Sequence, residues 1–323
     1  MLTVEFINVG YGDAILIQRT EVGKPPFRML VDCGDLTVGE AYPGSQRISA
    51  GQFLRQQGID TLDLLVLTHL HLDHCGGLQQ LLPNLRVKEL WTNYLPDQAF
   101  WSHRLGVPDH FSDGAKCLLH SMNTFLPALA AMDAQGTRIK PVVRTRFVAH
   151  VDDALRLDVF SEDLAVHQRQ HEIWTEQFLS GPNNATLDEL DHFINNTSIR
   201  MRVTYGNTAI ELPGDVYANC WEKHEIEPCQ IVKLPHHGHP DSATAHLLQM
   251  MQPTYTVISV SNTRKDHCPS ESIMELVTRC GSRLLFTDAV ECPQAPAHFH
   301  QALRFSIPLQ GQVELCYAEA SDQ

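Results

Sequence analysis

No stretch of this 323-residue chain stays apolar and uncharged for the length that a membrane-spanning helix requires. The opening residues, Met1 to Phe6, lack a basic segment followed by a long apolar run, so no secretory signal peptide is expected. Internal repeats and low-complexity tracts are also missing. Basic residues are scarce: 24 Lys and Arg stand against 38 Asp and Glu, for a formal net charge of −14. A protein that grips long nucleic acid by its backbone carries a basic face. Any such face here must be local, although bound divalent cations would offset part of the negative charge. The nine cysteines are an odd number and are scattered. Without an export signal they are expected to be reduced thiols in a cytoplasmic protein.

What is present is an ordinary globular composition, 43% hydrophobic and 19% charged, which excludes disorder. The length suits one large α/β domain or two small ones. Thr3 to Val9 is expected to be a strand, followed by a tight turn at Gly10-Tyr11-Gly12-Asp13. Further strands are expected at Ala14 to Gln18 and Arg28 to Val31. Gln46 to Gln57 has a helical pattern. Leu62 to Leu67 is apolar except for Asp63, and its unbroken part suits a strand buried on both faces. Gly76 to Leu82 opens a helix. Residues 93–145 break the rhythm and are expected to be an insertion, with a helical stretch from Cys117 to Met132 interrupted by Pro127. A polar, helical second insertion is expected over 163–192. Strands resume at Leu155 to Phe160, Ile199 to Tyr205, Ala209 to Leu212, Gln230 to Leu234 and Tyr255 to Val260. A last helix spans Ser270 to Cys280, with a serine cap and Gly281 beyond it. Two runs of strands separated by helices suggest two stacked sheets with helices outside.

The strongest chemical signal is Thr68-His69-Leu70-His71-Leu72-Asp73-His74-Cys75-Gly76-Gly77, directly after the buried strand. A strand end aims alternate side chains and the following turn aims the rest. Three imidazoles and a carboxylate within six residues supply two half-sites for divalent metal.

His-x-His-x-Asp-His after an apolar strand resembles the signature of the metallo-β-lactamase superfamily. The remaining motifs resemble the hydrolase domain of ComEC-type DNA-uptake competence proteins and their free-standing relatives. They are Asn8 to Ala14, Leu30 to Gly34, Asn195 to Ser198, Pro213-Gly214-Asp215, Leu234 to Gly238 and His267 to Ser270, in the expected order. The resemblance implies a single domain over 1–323, folded as a four-layer αββα sandwich. It implies two divalent ions, zinc or manganese, held by His69, His71, Asp73, His74, Asp215 and His237. Neighbours on an extended backbone face opposite ways, so only one of His236 and His237 can point inward. The family pattern makes that His237, with the reverse order left open.

The superfamily's third histidine of the first metal site is replaced by Asn196, a weaker and harder ligand. His167, His171 or His192 from the second insertion could fold in instead. Asp13 and Asp32 are candidates to orient the ligands.

The implied chemistry is hydrolysis by a metal-activated water, with Asp73 orienting it and His236 or His267 supplying a proton to the leaving group. Arg264 and Lys265 could hold a substrate phosphate. The expected partner is a phosphodiester, either nucleic acid or a small molecule. The leading reading is phosphodiester hydrolysis, nuclease activity included; one rival is a hydrolase of a small ester, a lactone or a small phosphodiester. The other is a metal-stabilised interaction module without catalysis.

Overall fold

The computed structural model describes residues 1–40, 42–143, 146–161, 164–263 and 267–320. Among them, two large sheets form. The first has eight strands in the spatial order Glu314–Ala318, Ala302–Ile307, Leu2–Ile7, Ile15–Arg19, Phe27–Val31, Leu64–Leu67, Glu89–Thr92 and Arg138–Pro141. The second has seven: Arg283–Phe286, Tyr255–Ile258, Ile231–Lys233, Thr208–Leu212, Arg200–Tyr205, Leu155–Phe160 and Arg146–His150. Each sheet is antiparallel on one side and parallel on the other. The parallel half of the first begins where Phe27–Val31 meets Leu64–Leu67, and that of the second where Thr208–Leu212 meets Ile231–Lys233.

The period of two along each strand builds the layers. In the first sheet, Ile15, Ile17, Met29, Val31, Leu64 and Val66 meet the second sheet, while Leu16, Leu30, Leu65 and Leu67 face helices on the far side. In the second, Ile231, Val257 and Leu285 face the first sheet, and Val232, Ile258 and Phe286 lie under the outer helices Ala245–Met251 and Glu271–Arg279. Strands so covered must be apolar on both faces, which is why Leu64–Leu67 is buried throughout. The chain is therefore a mixed α/β sandwich with helices outside both sheets.

Several elements differ in extent from the sequence expectation. The helix expected from Gln46 starts at Ala50, because Ser49 caps it and Gln52 completes a capping box. The expected interruption at Pro127 does not occur: Asp113–Ala134 is one continuous helix. Pro127 lies on its exposed face, where water can serve the freed carbonyl, and Phe125, Leu126, Ala128 and Leu129 anchor both sides of it. This helix packs on the outer face of the first sheet with helices Leu164–Ser180 and Asn184–Phe193. The helix expected to open at Gly76 starts a turn earlier, at Leu72, and both glycines keep right-handed backbone. Asp73 and His74 thus sit on helix, not loop. No described helix is long and apolar enough to cross a membrane.

Candidate metal centre

The loops that carry the predicted ligands leave the carboxyl ends of neighbouring parallel strands, where α/β sheets open a crevice. Phe27–Val31 runs into Asp32, Leu64–Leu67 into Thr68 to His74, Thr208–Leu212 into Asp215, and Ile231–Lys233 into His236 and His237. Backbone bonds tie the first two of these loops to each other and to the turn that carries Asp13. Asp13 N–H donates to Asp73 O at 3.2 Å, Cys33 N–H to His74 O at 2.9 Å, and Gly34 N–H to Asp13 O at 2.8 Å. Gly12 permits this approach: its φ is +118°, and a Cβ there would lie 2.2 Å from the Asp73 carbonyl oxygen.

Four imidazoles converge, and each is held from behind by one ring nitrogen. His69 Nδ1 lies 3.1 Å from Thr68 Oγ1, His74 Nδ1 lies 2.8 Å from Asp32 Oδ2, and His237 Nδ1 lies 2.9 Å from the Ser259 carbonyl. That leaves their Nε2 atoms for the centre. His71 is the reverse. Its Nδ1 lies 3.3 Å from His69 Nε2, and its Nε2 lies 3.5 Å from Asp191 Oδ1. Across the centre, His74 Nε2 and His237 Nε2 stand 3.1 and 3.4 Å from Asp215 Oδ2, and His237 Nε2 is 2.9 Å from Asp73 Oδ2. Fixing one nitrogen selects the tautomer and aims the other, as ligand histidines require.

Asp215 presents a single oxygen. Its Oδ1 already accepts from Lys233 Nζ and from the His236 backbone N–H, both at 2.8 Å. Oδ2 faces His74 and His237 instead, and is the oxygen Asp215 would offer to a cation. Lys233 is fully buried and also pairs with Asp13 Oδ2. Sequence reasoning missed it; the available signal was one charged residue inside an otherwise apolar buried strand.

The charges here call for cations. Asp13 and Asp215 share one lysine, Lys233, while Asp32 lies against His74 and Asp73 against His237; all but Asp73 are buried. Burial alone would push the His74 and His237 imidazoles down, yet the carboxylates of Asp215 and Asp73 hold both up. His69 is pushed well down, by burial first and then by His74 and His71. Imidazole nitrogens and carboxylate oxygens at these spacings are the donors that divalent zinc or manganese takes. His69, His74 and Asp215 form one group able to hold an ion, and Asp73, His74 and His237 another.

The other predicted residues are placed as follows. Asp32 buttresses His74 and accepts from both the backbone N–H and the hydroxyl of Thr68. Asp13 pairs with Lys233. Asn196 uses its Oδ1 to accept the Tyr217 N–H at 3.1 Å. His236 and His237 are not extended: both have positive φ, 49° and 51°, in a short 3-10 turn. That turn sends His237 to Asp73 and His236 to Asp241, 3.0 Å away. His267 is exposed, and among the described residues nothing links it to the cluster. His167, His171 and His192 do not join either. They meet Ser161, Tyr94 and the Asp188 carbonyl. The second insertion instead contributes Asp191, behind His71. Arg264 and Lys265 lie outside the described residues.

ComE operon protein 3 of Bacillus subtilis (strain 168) is 26% identical over 299 residues, covering 88% of this chain and 32% of that protein. The chain thus matches about a third of that relative's length. Anti-Pycsar protein Apyc1 of Bacillus phage BSP38 is 24% identical over 204 residues, 52% of this chain and 73% of that protein. A solved structure, the metallo-beta-lactamase fold protein YhfI from Bacillus subtilis, superposes with a TM-score of 0.46 at 11% identity, over 88% of this chain and 96% of that one. The family model of the metallo-beta-lactamase superfamily matches residues 27–261, well over half of the sequence. On that match, the chain belongs to the metallo-beta-lactamase superfamily.

Proposed function

We propose that this chain is a metal-dependent phosphodiesterase using two divalent cations, zinc or manganese, in a cytoplasmic setting. The observation that carries this is the convergence of His69, His71, His74 and His237 with Asp73 and Asp215 Oδ2, every imidazole held by its other nitrogen. A module that merely uses metal for stability has no need of ligands gathered at the open end of a sheet. When bound, such cations activate a water molecule and draw charge from the substrate's oxygens.

The chain's own residues supply the rest. Asp73, a partly exposed carboxylate beside His237, orients the attacking water. His69, His71 and Asp215 would hold the first ion, with Asn196 near by, and Asp73, His74, Asp215 and His237 the second. His236 stands outside the cluster, with Asp241 on Nδ1. That leaves its Nε2 to hand a proton to a departing alkoxide. Arg264 and Lys265 would contact the substrate phosphate. The net charge of −14 supports a small phosphodiester over long nucleic acid.

A panel assay on zinc- or manganese-loaded protein tests this. Plasmid DNA, single-stranded DNA, RNA, bis-p-nitrophenyl phosphate, p-nitrophenyl phosphorylcholine and a lactone cover the classes. Cleavage of a phosphodiester, abolished by EDTA, is the expected result. Hydrolysis of the lactone with every phosphodiester left intact would overturn it.

A further inference from the structure

The loop after Ile231–Lys233 carries a second convergence of donors, outside the cluster just described. His236 Nδ1 and His239 Nδ1 each lie 3.0 Å from the same atom, Asp241 Oδ1. The three candidate ligand atoms all fall within 4.8 Å of one another. The two rings stand 4.7 Å apart, tilted by 36°. One carboxylate oxygen can accept two N–H donors, and that alone would explain the group. His236 meets the oxygen in hydrogen-bond geometry. His239 does not: its Nδ1 is shielded from solvent and has no hydrogen-bond partner. Two imidazole nitrogens that converge on one carboxylate oxygen, one of them outside hydrogen-bond geometry, are placed as the ligands of a single ion would be.

The loop holds these side chains without help from an ion. Gly238 N–H donates to Pro235 O at 3.2 Å, His239 N–H to His236 O at 2.8 Å, and Ser242 N–H to His239 O at 2.8 Å. Asp241's own carbonyl accepts the Ala218 N–H at 2.9 Å. With the backbone fixed, binding costs only the ordering of three short side chains.

We propose that His236, His239 and Asp241 form a further divalent-cation site, suited to Zn²⁺. Two imidazoles and a carboxylate match that ion's preferences, and the remaining positions stay open to water or to a substrate oxygen. The His236 backbone N–H donates to Asp215 Oδ1, so the new site adjoins the main centre across one residue. An ion there takes Nδ1 of His236 and leaves Nε2 as the ring's donor, so it adds positive charge at the site's mouth without displacing that role.

Zinc titration of the metal-free full-length chain by calorimetry, checked by elemental analysis, decides the matter. The wild type should take up one more equivalent, more weakly held, than His239→Ala does. Asp241→Asn should lose the same equivalent or weaken it by at least about tenfold. Both residues are partly exposed, so the tight equivalents of the buried centre should remain in both variants. The wild type alone gives a second measurement: imidazole ¹⁵N NMR should show His239 Nδ1 shifting as the weaker equivalent binds. Equal stoichiometry and affinity in wild type and both variants, or an unshifted His239 at saturating zinc, would overturn the assignment.

Discussion

Asp32 grips His74 from behind: its Oδ2 lies 2.8 Å from His74 Nδ1, deep enough that neither side chain touches solvent. The same carboxylate accepts the Thr68 N–H and hydroxyl at 2.8 and 2.7 Å, so it fixes the start of the ligand loop and one of its ligands together.

Asp32→Asn keeps the shape but loses the charge behind the ring. Affinity for zinc should fall about 10- to 100-fold, the usual cost of an outer partner. Competition against a chromogenic chelator measures this. An unchanged dissociation constant would show that Asp32 only pins Thr68.

Lys233→Met fills the same space and leaves Asp13 and Asp215 buried without their cation. Breaking a buried pair in this way costs about 3–5 kcal/mol. The loss should be read by urea unfolding in EDTA, where no bound ion can compensate. Adding Asp13→Asn should restore part of it; strict additivity of the two changes would count against the pairing.

Asp191→Asn tests the second insertion. The carboxylate is partly exposed, so global stability should change by no more than about 0.5 kcal/mol. Zinc affinity should nevertheless fall about tenfold as His71 loses the partner on its Nε2. A loss of stability with metal binding intact would make Asp191 a helix-packing residue only.

His167 supplies a pH test. Burial lowers its imidazole from 6.5 to about 4. A depressed histidine leaves the folded state with fewer protons than the unfolded one. Its contribution is therefore complete above about 6.5 and is lost as the pH falls towards 4. Relative to His167→Gln, the wild type should lose about 2 kcal/mol between pH 7.5 and 4.5. A stability gap that stays constant over that interval would rule out a neutral, buried His167.

The ligand string was legible because it is local: one strand end and the short helix that follows it carry His69, His71, Asp73 and His74. The layers were legible for a similar reason, since strands such as Leu64–Leu67 are apolar without a break. Asp191 was not legible. It meets His71 from 120 residues away through the packing of two helices, and nothing in its own neighbourhood marks it. The turn at His236 and His237 was hidden for another reason. Two consecutive non-glycine residues with positive φ run against local preference, so an extended backbone was the natural expectation. Pro127 misled because its effect on a helix depends on which face it occupies, and that only the packing decides.

The backbone bonds that join Asp13 to Asp73, Cys33 to His74 and Gly34 to Asp13 make the centre a matter of chain register. A rotamer can adjust by a fraction of an ångström, but a peptide spacing cannot. One residue added between Gly12 and Ala14, between Asp32 and Gly34, or between Asp73 and Cys75 would put two of these three hydrogen bonds out of step at once. The stretch 97–104, which carries none of these bonds and is largely exposed, can change length at far less cost. Variation in length among relatives should therefore be confined to such segments, while these three loops keep a fixed residue count.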